Sequence, residues 1–342
     1  MSADLANTDL GLVDLAGRRL GGSVMWANDE LFAPKERLLE PAEPEDRPGV
    51  YGERGKWMDG WETRRRRDAG HDACIVRLGL AGLVRTAVVD TRYFRGNFPA
   101  ACRLEGVSLA RAAPLAALLD EALVWHPLLA EVPLAGDAEN RFELPEPAGA
   151  VLPTSHVRFS ILPDGGVARL RLLGEVLPDW PRIERQVGGG EVDLAAVEHG
   201  GRVVAASDAF FSDPRHLNLP GPPHGMHDGW ETRRRRTPGH DWVVLRLGRP
   251  GVPRRVVVDT TRFVGNAPGS CWLEGAAGEA APEGESGWRT VVPETPLVPD
   301  CACELEVPDG GGGEEVSYVR LCIRPEGGVA RLRVYCTLEG GR

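Results

Sequence analysis

Asp59-Gly60-Trp61-Glu62-Thr63-Arg64-Arg65-Arg66-Arg67 recurs, residue for residue, as Asp228-Gly229-Trp230-Glu231-Thr232-Arg233-Arg234-Arg235-Arg236. The offset of 169 also carries Gly70-His71-Asp72 onto Gly239-His240-Asp241 and Arg77-Leu78-Gly79 onto Arg246-Leu247-Gly248. It carries Val88-Val89-Asp90-Thr91 onto Val257-Val258-Asp259-Thr260, Gly96-Asn97 onto Gly265-Asn266, and Leu104-Glu105-Gly106 onto Leu273-Glu274-Gly275. Downstream the offset falls to 162, where Gly165-Gly166-Val167-Ala168-Arg169-Leu170-Arg171 matches Gly327-Gly328-Val329-Ala330-Arg331-Leu332-Arg333. Upstream it rises to 179, where Asp29 and Phe32 align with Asp208 and Phe211. Changing offsets place insertions between matched blocks, and insertions belong in loops. The chain is a tandem duplication of a unit of roughly 160 residues, each copy large enough to bury its own core. The join is expected in the Pro- and Gly-interrupted stretch 175–191, giving domains 1–180 and 181–342.

Within a copy the periodic runs are short. Cys74–Leu78, Ala87–Asp90 and Val167–Leu172 read as strands. Pro163-Asp164-Gly165-Gly166 is a turn signal, which predicts a hairpin between Val157–Leu162 and Val167–Leu173. The one helical stretch expected is Pro114–Trp125. Glycine (43) and proline (28) make up about a fifth of the 342 residues, which suits many strands joined by turns. The prediction is all-β: two tandem β-sandwiches with a few short helices.

The net charge of −10 disfavours nucleic acid, since phosphate contacts supply most of that affinity. No apolar run reaches the ~18–20 residues of a membrane span. The N-terminus MSADLANTDL has no basic start or apolar core, so no secretory signal is expected. Seven irregularly spaced cysteines read as free thiols of a cytoplasmic protein.

The recurrent polar residues are the candidates for chemistry. Packing alone seldom retains acids and four consecutive arginines, whereas a polar site does. Each residue also has a plain alternative: Gly60 for a turn, Trp61 for an anchor, Arg66 and Arg67 for a solvated face. His71 and His240 could shuttle protons near neutral pH. Adjacent strand residues face opposite ways, so Asp72 need not touch His71. Asp90 with Arg92 and Asn97, and Asp259 with Arg262 and Asn266, close a strand and enter a Gly-containing loop. Arg92 and Arg262 are not strictly equivalent, because Thr261 intervenes. His224 and His227 have no partner in the first copy and read as loop histidines. Cys102 and Cys271 read as buried thiols.

These motifs resemble the allantoicase family. The resemblance rests on Asn28-Asp29-Glu30-Leu31-Phe32-Ala33-Pro34, on Gly55-Lys56-Trp57-Met58-Asp59-Gly60-Trp61-Glu62-Thr63-Arg64-Arg65, on Gly70-His71-Asp72, on Asp90-Thr91 with Gly96-Asn97, and on Pro163–Arg169. It spans nearly the whole chain and includes the duplication. It implies two jelly-roll repeats similar to galactose-binding-like domains, a homo-oligomer, and hydrolysis of allantoate to ureidoglycolate and urea. The copies differ: the first has Ala73 where the second has Trp242, and His156 where the second has Tyr318.

Allantoate is a small anion with two ureido arms on one carbon. Its carboxylate wants an arginine fork, expected from Arg64 or Arg92 and from Arg233 or Arg262. Its ureido N–H groups want acceptors, expected at Asp59, Asn97, Asp228 and Asn266, with Asp90 and Asp259 in the same set. Proton delivery to the leaving nitrogen is expected from His71 and His240, with Glu62 and Glu231 as alternatives. A divalent metal could polarise a ureido carbonyl, but no ligand spacing demands one. A non-catalytic jelly-roll binding protein and an enzyme acting on ureidoglycolate are the other readings.

Overall fold

The computed structural model describes residues 10–145, 153–308 and 313–338. Residues 1–9, including most of the N-terminal segment that carries no expected signal, lie outside them. Two compact units emerge, Leu12–Leu177 and a second from Pro178 onward.

In the first unit a 19-residue strand, Asp72–Asp90, runs through both layers of a sandwich. Its first half pairs with Ser23–Ala27 on one edge and Thr154–Leu162 on the other. Thr154–Leu162 then pairs with Ala101–Val107, and that strand with His126–Pro133. Its second half pairs with Arg169–Val176 and Glu139–Glu143. All these pairings are antiparallel. The switch between layers lies at Gly79 and Gly82. A β-carbon on Gly82 would sit 2.2 Å from the Glu175 carbonyl oxygen, so only glycine lets the strand swing this close. The second unit repeats the plan around Asp241–Asp259, with Gly248 and Gly251 at the bend.

Each sandwich encloses its own core. In the first, Trp61, Val76, Val89, Leu104, Phe159 and Leu170 interdigitate; in the second, Trp230, Leu245, Val258, Leu273, Leu321 and Leu332 do so. The alternation of buried and half-exposed residues in Ala101–Val107 is the period-two pattern of a strand with one face in the core. The all-β, two-jelly-roll expectation holds.

Two local expectations do not. Thr154–Leu162 and Arg169–Val176 form no hairpin: each pairs with a different half of Asp72–Asp90. The Pro-Asp-Gly-Gly turn is real, but the chain after it arches from one layer to the other. On the way Gly166–Val167 pairs with Trp61–Glu62. The helix expected over Pro114–Trp125 is a single turn, Leu115–Leu118, and His126 already begins a strand. The stretch 175–191 contains a helix, Trp180–Val187. Its start is capped by Asp179, which accepts from the Arg182 N–H at 3.1 Å, and its end by Gly188 in the left-handed region.

Candidate active site

The repeated motif reads out as an alternation across one short strand. Trp61 and Thr63 point inward and are buried; Glu62, between them, points the other way. The Trp61 indole donates to the Asp29 carbonyl at 2.8 Å, and the Thr63 hydroxyl exchanges hydrogen bonds with Gly165. Gly60 must be glycine, because a β-carbon there would lie 2.4 Å from the Val167 carbonyl oxygen. The Glu62 backbone is held by Ala33 on one side and Gly166 on the other. The carboxylate is therefore aimed by the fold.

Glu62 meets Asn97. The Asn97 Nδ2 donates to Glu62 Oε1 at 2.6 Å, while the Asn97 carbonyl accepts from the Gly166 N–H at 2.7 Å. Both side chains open into a cavity of about 290 Å³. Phe32 and Met58 give it an apolar wall; Arg54, Lys56, Tyr93 and Arg95 give it a polar, cationic one. Burial raises the Glu62 carboxyl above the ordinary range, against the opposing pull of the Asn97 amide and the Lys56 charge. A carboxyl so tuned, in a pocket of this size, suits proton transfer to a small polar substrate.

The second unit repeats the pair. Asn266 Nδ2 donates to Glu231 Oε1 at 2.7 Å, Trp230 is fully buried, and its indole donates to the Asp208 carbonyl at 2.7 Å.

The other expected site residues lie elsewhere. Asp59 is held by the buried Arg169 at 2.7 Å, and Asp228 by the buried Arg331 at 3.1 Å. Those arginines also bond a ring of backbone carbonyls, so the two acids lock the loop to the sandwich. Arg64 and Arg233 clasp Asp29 and Asp208 at 2.5 Å. Burial would lift the Asp29 carboxyl, but N–H bonds from Leu31 and Arg64 and the Arg64 charge hold it below the usual range. Arg92 folds back on Asp90, at 2.8 Å through Nε and 2.6 Å through Nη2. Asp259 accepts from the Thr261 N–H at 2.8 Å. Arg262 occupies the place of Tyr93: both have positive φ (76° and 70°), and both backbone N–H groups donate to an aspartate, Asp300 and Asp137.

The histidines stand apart from the Glu–Asn pairs. His71 Nε2 lies 3.1 Å from Arg103 Nη2. Arginine offers only donors, so that nitrogen accepts and the ring proton sits on Nδ1. Burial, then Arg103, Arg158 and Arg66, lower the His71 pKa and keep the ring neutral. His240 packs on the Trp272 ring at 4.7 Å, and burial lowers its pKa too. Asp72 bonds Asn28 (2.8 Å) and Arg66 (2.6 Å), not His71. His224 and His227 are exposed, His224 in a loop and His227 in the single helical turn Met226–Asp228. All seven cysteines are free, and burial pushes the Cys102 and Cys271 thiols up to about 12. Among the described residues no three His, Cys, Asp or Glu side chains converge as a metal would require. No described helix is long and apolar enough to cross a membrane.

Sequence reasoning missed Arg54, Lys56, Tyr93 and Arg95. A signal existed for one: Lys56 is one of only two lysines in the chain, and it adjoins the central motif.

Comparisons with known proteins agree with this architecture. The profile of the allantoicase repeat matches residues 13–177 and 192–339, one match per unit. A probable allantoicase of Nocardia farcinica is 45% identical over 333 residues, covering 96% of this chain and 95% of the relative. One from Pseudomonas aeruginosa is 43% identical over 328 residues, covering 94% and 95%. The crystal structure of allantoicase from Saccharomyces cerevisiae superposes with a TM-score of 0.79 at 31% identity, covering 96% of this chain and 94% of that one. A second allantoicase structure gives 0.80 at 31% identity, covering 97% and 95%. A repeat profile matched in both units, and relatives this similar over nearly their full length, make the chain a member of the allantoicase family.

Proposed function

We propose that this chain hydrolyses allantoate to ureidoglycolate and urea, with Glu62 as the proton-transfer group and Asn97 as its positioning partner. The observation that carries this is the Glu62–Asn97 hydrogen bond at the wall of a small cavity whose rim is cationic.

The reaction breaks a C–N bond to a poor leaving group. Protonated Glu62 donates to the departing ureido nitrogen as that bond breaks. The lone pair of the remaining ureido nitrogen closes a C=N bond to the same carbon, and urea leaves. Glu62, now a carboxylate, takes a proton from water as the oxygen adds to the carbon. The C=N pair returns to the remaining ureido nitrogen, which has kept its proton throughout, and the product carries the hydroxyl. A carboxyl raised by burial serves both halves of this cycle. Asn97 fixes the Glu62 rotamer through Nδ2 and offers Oδ1 to a ureido N–H.

The substrate carboxylate is met by the cavity cations, not by Arg64 or Arg92, whose guanidinium groups are committed to Asp29 and Asp90. Asp59, Asp90, Asp228 and Asp259 serve the loop framework, and His71 and His240 the outer packing. The protein acts in the cytoplasm, which its unpaired cysteines suit, and as a homo-oligomer, which sedimentation equilibrium tests.

The direct test is urea release from allantoate by the purified full chain, with ureidoglycolate as a competing substrate. Urea from allantoate at ordinary enzyme rates is expected. Turnover of ureidoglycolate alone would move the activity to that compound. Silence on both from folded protein would leave a binding protein.

A further inference from the structure

The two copies share the Glu–Asn pair, but not what surrounds it. From Leu38 to Asp59 the first copy is ten residues longer than the second is from Leu217 to Asp228. The extra chain builds a two-stranded hairpin, Tyr51–Gly52 against Gly55–Lys56. Its turn carries Arg54, whose Nη1 is anchored on the Leu31 carbonyl at 3.1 Å. Its second strand carries Lys56. Both line the cavity beside Glu62, and both also line an adjoining hollow of about 260 Å³. Arg95 closes the cavity from the opposite loop, steadied by Asp137 at 2.9 Å.

In the second copy the hairpin is replaced by one helical turn, Met226–Asp228. The position of Lys56 is Gly225, that of Arg95 is Val264, and Arg54 has no counterpart. Beside the Glu231–Asn266 pair stands Met226, its sulfur 3.8 Å from Asn266 Nδ2, and Val264 is 70% exposed. An anionic substrate needs opposing charge at a fixed place; the second copy keeps none of these three cations, and its one arginine at an equivalent lining position, Arg262 in the place of Tyr93, is exposed, with its backbone N–H given to Asp300.

We propose that the first repeat alone recognises the substrate carboxylate, through Arg54, Lys56 and Arg95, and that the second repeat's Glu–Asn pair binds no anion. This rests on the reaction proposed above and assigns its specificity to one repeat. The duplicated scaffold thus carries one anion site per chain, and the determinant is the inserted hairpin.

The test titrates allantoate calorimetrically into full-length Glu62→Gln, which cannot complete the reaction, and into Glu62→Asp as a second protein should the first not fold. Urea release by the wild type is measured in parallel. One anion bound per chain is expected. Lys56→Met combined with Arg95→Met in the same background should raise Kd by about tenfold or more, with an unchanged thermal midpoint. Two anions per chain, no saturable binding, or a Kd in the combined variant within about threefold of its parent would overturn the proposal while wild-type turnover stands. A folded wild type that releases no urea would overturn the reaction itself, and the assignment with it.

Discussion

At the residue scale the key group is Glu62, and its environment sets two expectations. The folded chain disfavours its ionised form, chiefly by burial. A carboxyl with a raised folded pKa contributes its stability below the unfolded value and loses it as pH rises through the folded value. Glu62→Gln is therefore expected to raise the thermal midpoint at neutral pH, with the gain fading as pH drops below 4.5, the ordinary carboxyl value. Differential scanning calorimetry at several pH values measures this, and a lower midpoint at pH 7 would contradict it. Asn97 donates to the ionised form and so holds the pKa down. Asn97→Leu should raise it further, shifting the Glu62-dependent limb of the kcat/KM profile to higher pH. Sequence alone brought Glu62 and Asn97 to attention because both recur. Recurrence also brought forward Asp59 and Arg64, whose repetition reflects framework contacts made twice, and His71, which meets Arg103 where His240 meets Trp272. Lys56 and Arg95 do not recur, so a search for repeated residues passed over the very groups that distinguish the copies.

At the element scale the motif strand is held by a buried ion pair that belongs to the fold. Arg331 and Asp228 are each 2% exposed along the side chain. Removing one partner leaves an uncompensated buried charge, which costs about 3–5 kcal/mol. Asp228→Ala is expected to destabilise its unit by that amount in urea unfolding, far more than Arg236→Ala on the exposed end of the same run. Equal, small effects would show that the pair is dispensable. Gly60→Ala should also weaken the first unit, because its β-carbon would strike the Val167 carbonyl and not a flexible side chain. The elements themselves were only partly legible. Cys74–Leu78 and Ala87–Asp90 read as separate strands because Gly79 and Gly82 interrupt the pattern; in space those glycines let one strand serve two layers. Pro163-Asp164-Gly165-Gly166 reads as a hairpin turn because local chemistry fixes a reversal of direction. Whether the chain returns in the same layer or the opposite one is decided by the core, which places Leu170 and Leu172 opposite the second half of the long strand.

At the scale of the molecule, each unit is a sandwich whose loops deliver one Glu–Asn pair. Duplication, fold class and family were legible because a nine-residue identity and its fellow blocks recur in the same order along the unit, at offsets of 179, 169 and 162. The division of labour between copies was not, since it depends on an insertion that only structure places beside the motif. The central claim is that Glu62 carries proton transfer in the hydrolysis of allantoate. The measurement that bears on it most directly is kcat for urea release by the wild type and by Glu62→Gln, with the folded state of each checked by its thermal midpoint. Turnover by the wild type and a loss of about 10²–10⁴-fold in the folded variant is the predicted result. Full-rate urea release by Glu62→Gln would contradict it.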